Sequence, residues 1–289
     1  MTLPVDEMIA IAQRVADRWI TIPGVQAVSL GGSLGRVALG TLDMVLDAPG
    51  DIDIYIYAQT IPPLDLRLAA IDATGGRDVE LDRQFWETED VWIDAIGGVQ
   101  IEAMHRSTAW IPANLDRVLT RHQASIGYTT CIVDSLRDSI ALADPTDWYA
   151  GLQAGARQPY PPELRDTIIA KNHPILRSTH ASYRDQIASA IRRDDLNSVA
   201  HRTTALLASF WDILFALNLA FHPGEKRLVA FAEVRCPNRP ADLEAKIRDI
   251  VTEIGNQTET LLARIDALLN DLDHCMVLVH PESRRHPSS

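Results

Sequence analysis

Residues 28–57 read VSLGGSLGRVALGTLDMVLDAPGDIDIYIY, and the two ends of this stretch decide the fold. Val28-Ser29-Leu30 closes a short apolar run, and Gly31-Gly32-Ser33 breaks it. A glycine turn of this kind lets backbone N–H groups approach an anion. At the other end Asp51-Ile52-Asp53-Ile54-Tyr55-Ile56-Tyr57 alternates strictly, and a strand puts alternate residues on one face. Asp51, Asp53, Tyr55 and Tyr57 therefore share one side, and Ile52, Ile54 and Ile56 share the core side. Two carboxylates about 7 Å apart on one strand face are costly unless a positive charge lies between them. A divalent metal supplies it.

The combination resembles the nucleotidyltransferase superfamily that includes DNA polymerase β. Its signature is an apolar residue, Gly-Gly/Ser, a spacer, Asp-x-Asp/Glu on a strand and a third carboxylate on a later strand. Gly32-Ser33 matches the first part, and Asp51 and Asp53 match the second. Seventeen residues separate Ser33 from Asp51, more than is usual in the family, so residues 39–50 read as an inserted loop. Loops lengthen at small entropic cost.

The sequence 90–106, DVWIDAIGGVQIEAMHR, predicts a β-hairpin, 91–96 and 99–105, around Gly97-Gly98. In its second strand Gln100, Glu102 and Met104 face one way and Val99, Ile101 and Ala103 the other. Glu102 is the candidate third carboxylate, with Asp94 on the partner strand as the competitor. His105 either helps the site or caps the strand.

Around this centre the pattern predicts an amphipathic helix over 5–20, a strand over 25–30 and a helix over 64–73 closed by Gly75-Gly76. Residues 115–121 and 131–143 read as helical. The Pro/Gly/Ala-rich stretch 143–162 reads as a boundary, giving an α/β nucleotidyltransferase domain over 1–150. An all-α helical-bundle domain over 151–279 and a polar tail over 280–289 follow. The second half predicts helices over 163–170, 183–193, 203–221 and 242–269, with 203–221 apolar almost all round and central. Asp212 lies within that helix and reads either as a buried, paired structural acid or as a site residue, the first being favoured. The tail is polar, and such termini are commonly disordered.

The net charge of −12 is unevenly spread: residues 1–150 hold 22 Asp/Glu against 10 Arg and no Lys, residues 151–289 hold 17 against 17. The excess acid is either a solvated surface or a field that attracts cations. The acidic balance argues against a nucleic-acid partner, which needs a basic face. Three widely spaced cysteines, Cys131, Cys236 and Cys275, suit neither a disulfide framework nor a zinc site. With no basic-then-apolar leader in MTLPVDEMIAI, a cytoplasmic protein with no membrane span is expected. G-x-x-x-x-G-K-[ST], G-x-S-x-G and H-E-x-x-H are all absent.

The order of domains is similar to that of the antibiotic nucleotidyltransferases, catalytic domain first and helices second. The resemblance implies transfer of a nucleoside monophosphate from ATP or another nucleoside triphosphate to a hydroxyl of a small acceptor, with Mg²⁺, two ions by analogy, as cofactor. Asp51, Asp53 and Glu102 would hold metal, and Gly32 and Ser33 would hold the terminal phosphates. Arg36 is the basic candidate beside the glycine turn. The three lysines of the chain are Lys171, Lys226 and Lys246, so Lys171, Lys226 and Arg227 are the expected phosphate contacts from the helical half. A cationic, aminoglycoside-type acceptor fits the acid excess, with Glu87, Glu89, Asp90 and Asp94 as contacts. The rival expectations are a toxin that modifies tRNA or protein, and a non-catalytic nucleotide-binding member of the fold.

Overall fold

The computed structural model describes residues 3–41, 49–85, 87–256 and 258–279. The chain divides into two compact units. The first comprises residues 1–116 and 132–158, and the second residues 117–131 and 159–289.

The first unit holds α1 (Val5–Trp19), β1 (Val25–Leu30), α2 (Gly32–Ala38), β2 (Asp51–Ala58), α3 (Leu64–Ala73) and β3 (Gly76–Gln84). It continues with β4 (Thr88–Asp94), β5 (Gln100–Ser107), α4 (Trp110–Leu115), α5 (Cys131–Arg137), β6 (Ile140–Ala143) and α6 (Trp148–Ala156). A π-helical turn, Asp116–Thr120, follows α4. The strands form one mixed sheet in the order β3-β4-β5-β2-β1-β6. β2 and β5 run parallel, and the other neighbours are antiparallel.

One face of the sheet is the core. The stripe Met8, Ile11, Ala12, Val15 and Trp19 of α1, with Ala70 and Ile71 of α3, packs on Leu30, Ile52, Ile54, Ile56, Ile101 and Trp92. Each large aliphatic side chain buried there contributes about 1.5–3 kcal/mol of transfer free energy. The alternation of β2 and β5 thus decides which residues the opposite face presents. There α6 lays Trp148 and Tyr149 against Tyr57, at 5.6 and 5.0 Å between ring centroids.

The second unit is helical throughout its regular elements among the described residues: α7 (Pro162–Arg177), α8 (Tyr183–Arg192), α9 (Leu196–Leu217), α10 (Leu228–Arg235), α11 (Leu243–Glu253) and α12 (Glu259–Val279). α9 is the apolar centre, packed by α7, α8 and α12. No helix among the described residues is long and apolar enough to cross a membrane.

Several sequence expectations need correction. The helix expected over 131–143 ends at Arg137, and Ile140–Ala143 becomes the sheet edge beside β1. Four residues carry too little period to announce a strand, and pairing with β1 overrides their helical propensity. The stretch 143–162 does hold the change of unit, at 158/159, but it also contains α6, which survives two glycines because Tyr149 and Ala156 are fully buried. The long helix over 242–269 is two helices, interrupted by a 3₁₀ turn at Ile254–Asn256 where Gly255 weakens the helix. The polar strand β3 and the helix α2, which starts inside the glycine turn, went unanticipated. Residues 42–48 of the inserted loop and the tail 280–289 lie outside the described residues.

Candidate active site

The site is assembled where β1 runs into α2. Gly31 N–H donates to the Asp53 carbonyl at 2.9 Å, tying the turn to β2. Gly32 adopts a left-handed backbone, φ +59°. A Cβ built there would lie 1.7 Å from Asp53 Oδ2, and one on Gly31 would lie 2.1 Å from the Tyr55 ring. Both glycines are therefore demanded by side chains of β2, and the Asp53 carboxylate occupies the space a side chain at position 32 would need.

The parallel register sets Asp51 beside Gln100, Asp53 beside Glu102 and Tyr55 beside Met104. Asp53 and Glu102 stand on neighbouring strands, whose separation is about 4.8 Å, with side chains on the same face. Asp51, Asp53 and Glu102 are all half-buried. Gln100 Nε2 donates to Glu102 Oε1 at 2.7 Å and orients it. Glu89 of β4 lies close by. Burial pushes its carboxyl up, Arg83 opposes this, and the charges of Glu102 and Glu87 add to the rise.

Arg106, two turns of the pleat beyond Glu102, was not singled out from the sequence. Its guanidinium lies 3.7 Å from the centre of the Tyr55 ring and grips Glu87 with two bonds of 2.7 Å. Burial raises the Tyr55 phenol, Arg106 opposes this, and the Asp53 charge raises it further. Arg106 thus braces the floor of the site beside Asp53. Nothing in the order of residues announces it, because the contact depends on the β2–β5 register and on the β3–β4 connection.

Asp94, the competitor of Glu102, lies on the core side of the sheet. It is 1% exposed, ion-paired with Arg14, and accepts the Gly97 N–H at 2.8 Å. Asp90 is 0% exposed and bonded to His105 Nε2 at 2.8 Å, with Arg67 Nε at 3.5 Å. Neither is available to an acceptor, so both drop out of the expected contacts, and His105 is a core group held between Asp90 and Trp19. Arg36 also departs from its expected role: its guanidinium is held by Asp134 at 3.0 Å and Asp138 at 3.2 Å. Ser33 is half-buried in the first turn of α2.

Lys171, Lys226 and Arg227 belong to the second unit. Lys171 Nζ donates to the Ala124 carbonyl at 2.8 Å, Lys226 is exposed, and Arg227 is the left-handed residue that starts α10. Asp212 is a structural acid, 1% exposed. It accepts from Thr129 N at 3.0 Å, Thr129 Oγ1 at 2.6 Å and Asn172 Nδ2 at 3.5 Å. Burial pushes it up to about 6 against those Thr129 bonds. His222, also buried, is driven down to about 3.

Among the described residues no three His, Cys, Asp or Glu are gathered closely enough to hold a metal by themselves. Magnesium seldom needs such a cage, because one or two carboxylates and substrate phosphates complete its octahedron. Oxygen donors in register, with one carboxylate pressed into the space left by Gly32, fit that mode of binding.

No protein-family model matches the chain, and no curated protein matches it. Among solved structures it is similar to a nucleotidyltransferase-like protein from Exiguobacterium sibiricum 255-15, at 12% identity and a TM-score of 0.43, over 98% of this chain and 82% of that one. That likeness is too distant to carry fold or activity across.

Proposed function

We propose that the first unit transfers a nucleoside monophosphate, AMP from ATP in the first instance, to a hydroxyl of a small acceptor. The observation that carries this is the in-register pair Asp53 and Glu102, with Asp51 on the same face and the Asp53 carboxylate against Gly32. Asp51, Asp53 and Glu102 would hold Mg²⁺ together with phosphate oxygens, and the bound metal would neutralise phosphate charge. The acceptor oxygen forms the new bond to the α-phosphorus as the bond to the β-phosphate oxygen breaks, and pyrophosphate leaves. Glu102, oriented by Gln100, would either complete that metal site or take the hydroxyl proton. Gly32 and Ser33 lie where the chain approaches the triphosphate, and positioning together with charge neutralisation supplies the rate. With Asp90 and Asp94 buried, Glu89 is the remaining hairpin acid on this face to meet a cationic acceptor.

The test is incubation with labelled ATP, Mg²⁺ and a panel of aminoglycosides, lincosamides and tRNA. Label should pass to a cationic small acceptor, less readily as salt rises. Asp53→Asn and Glu102→Gln should each lower turnover by several kcal/mol in barrier, on the order of a thousandfold, with the melting temperature little changed. Near wild-type turnover of Asp53→Asn at saturating Mg²⁺ would remove the basis for nucleotidyl transfer.

A further inference from the structure

Away from the sheet, the second unit has two abutting grooves that the transfer chemistry does not use. One, of about 430 Å³, has Trp211 of α9 among its lining, with Val229 and Ala230 of α10 and Ile247 of α11. The other, of about 510 Å³, is more polar and runs along the chain from Pro237 into α11. Two residues line both grooves, Glu233 and Glu244. Helical spacing explains the arrangement. Val229 and Glu233 are four apart on α10, and Glu244 and Ile247 are three apart on α11, so each helix places a carboxylate beside an apolar side chain on one face.

The two carboxylates differ in their ties. Glu244 accepts from Arg248 Nη2 at 2.5 Å, one turn along its own helix. Glu233 is exposed and takes part in no ion pair or hydrogen bond among the described residues. One arginine lines each groove. Arg227 is in the apolar groove, and Arg239, in the other, donates to the Cys236 carbonyl at 3.0 Å. An anion placed at the junction would meet both carboxylates, whereas a cation there gains Glu233, and the apolar groove beside it is lined by Trp211, Val229, Ala230 and Ile247. The volume of the apolar groove falls in the range of small-molecule sites, about 300–1,000 Å³.

We propose that this groove binds a small organic cation, an apolar ring carrying an ammonium group, with the ring among Trp211, Val229, Ala230 and Ile247 and the charge at Glu233. The site is independent of the transfer chemistry and stands or falls separately from it.

Phenethylamine is a suitable probe, with phenylacetate as the same ring carrying the opposite charge. Calorimetric titration of the full chain should give saturable binding of phenethylamine that weakens with salt, and phenylacetate, with the charge reversed, weaker by about tenfold, which is about 1.4 kcal/mol. Glu233→Gln, an exposed change that leaves the melting temperature alone, should weaken phenethylamine by a similar factor. Ala230→Phe should fill the groove and abolish binding. Equal affinity for the two ions, no saturable binding of phenethylamine, or unchanged affinity in Glu233→Gln would overturn the proposal. So would binding that survives Ala230→Phe but disappears in Asp53→Asn, since the cation would then sit at the sheet of the first unit.

Discussion

A single methyl group tests the candidate active site most sharply. Gly32→Ala would put a carbon 1.7 Å from Asp53 Oδ2 at a backbone angle of φ +59°. A left-handed alanine costs roughly 1–2 kcal/mol, and the carboxylate must move as well. We expect a lower melting temperature and a loss of transfer close to that of Asp53→Asn. Wild-type activity in a stably folded Gly32→Ala protein would show that the position of Asp53 does not matter. At this scale the sequence revealed what alternation reveals: Asp51 and Asp53 on one face of β2, Glu102 opposite Ile101 on β5. It did not reveal Arg106 or the burial of Asp90 and Asp94. Alternation states which residues share a face within a strand, but only pairing states which face of β4 lies beside which face of β5. Here Asp90 is opposite Ala103 and Val91 is opposite Glu102, which sends both aspartates into the core.

Among elements, α9 carries two opposed titrations through its neighbours. Asp212 titrates in the fold at about 6, above its ordinary value, so the folded state binds the extra proton between roughly 4 and 6. That contribution is complete at low pH and is lost as pH rises through 6. His222 titrates at about 3, below its ordinary value, so the unfolded chain binds the extra proton between about 3 and 6.5. That contribution is present above about 6.5 and is lost as pH falls toward 3. Between pH 4 and 6 the two slopes are opposite, each at most about 1.4 kcal/mol per pH unit, so each offsets the other. We expect the stability of the second unit to change little over that window in the wild type. In Asp212→Asn the His222 slope stands alone, and stability should fall on acidification. Urea denaturation of both proteins at several pH values between 4 and 6 checks this, and equal pH dependence in the two would contradict it. Elements with a long period, α1 and α9, were legible in the sequence. The four-residue β6 and the glycine-containing α6 were not, because the sheet, not their own pattern, stabilises them.

For the whole molecule, the order of the chain matters as much as its contacts. Residues 117–131 belong to the second unit, yet residues 132–158 return to the first before the second resumes at 159. No single cut separates the two. We expect a fragment of residues 159–289 to be loosely packed, with helical far-ultraviolet but weak near-ultraviolet circular dichroism. Adding a peptide of residues 117–131 should restore a cooperative melt, because Thr129 supplies the two shortest of the three hydrogen bonds that Asp212 accepts, the third coming from Asn172 within the fragment. A fragment that melts cooperatively without the peptide would count against this. The same interlacing has a consequence in time. Thr129 leaves the ribosome 83 residues ahead of Asp212, a delay of roughly 4–17 seconds at ordinary rates of synthesis. For that interval residues 117–131, which fall between the two parts of the first unit in the chain, belong to a structure not yet made. The birth order of this protein therefore holds a waiting period, and a chaperone that grips apolar segments would find its opening there.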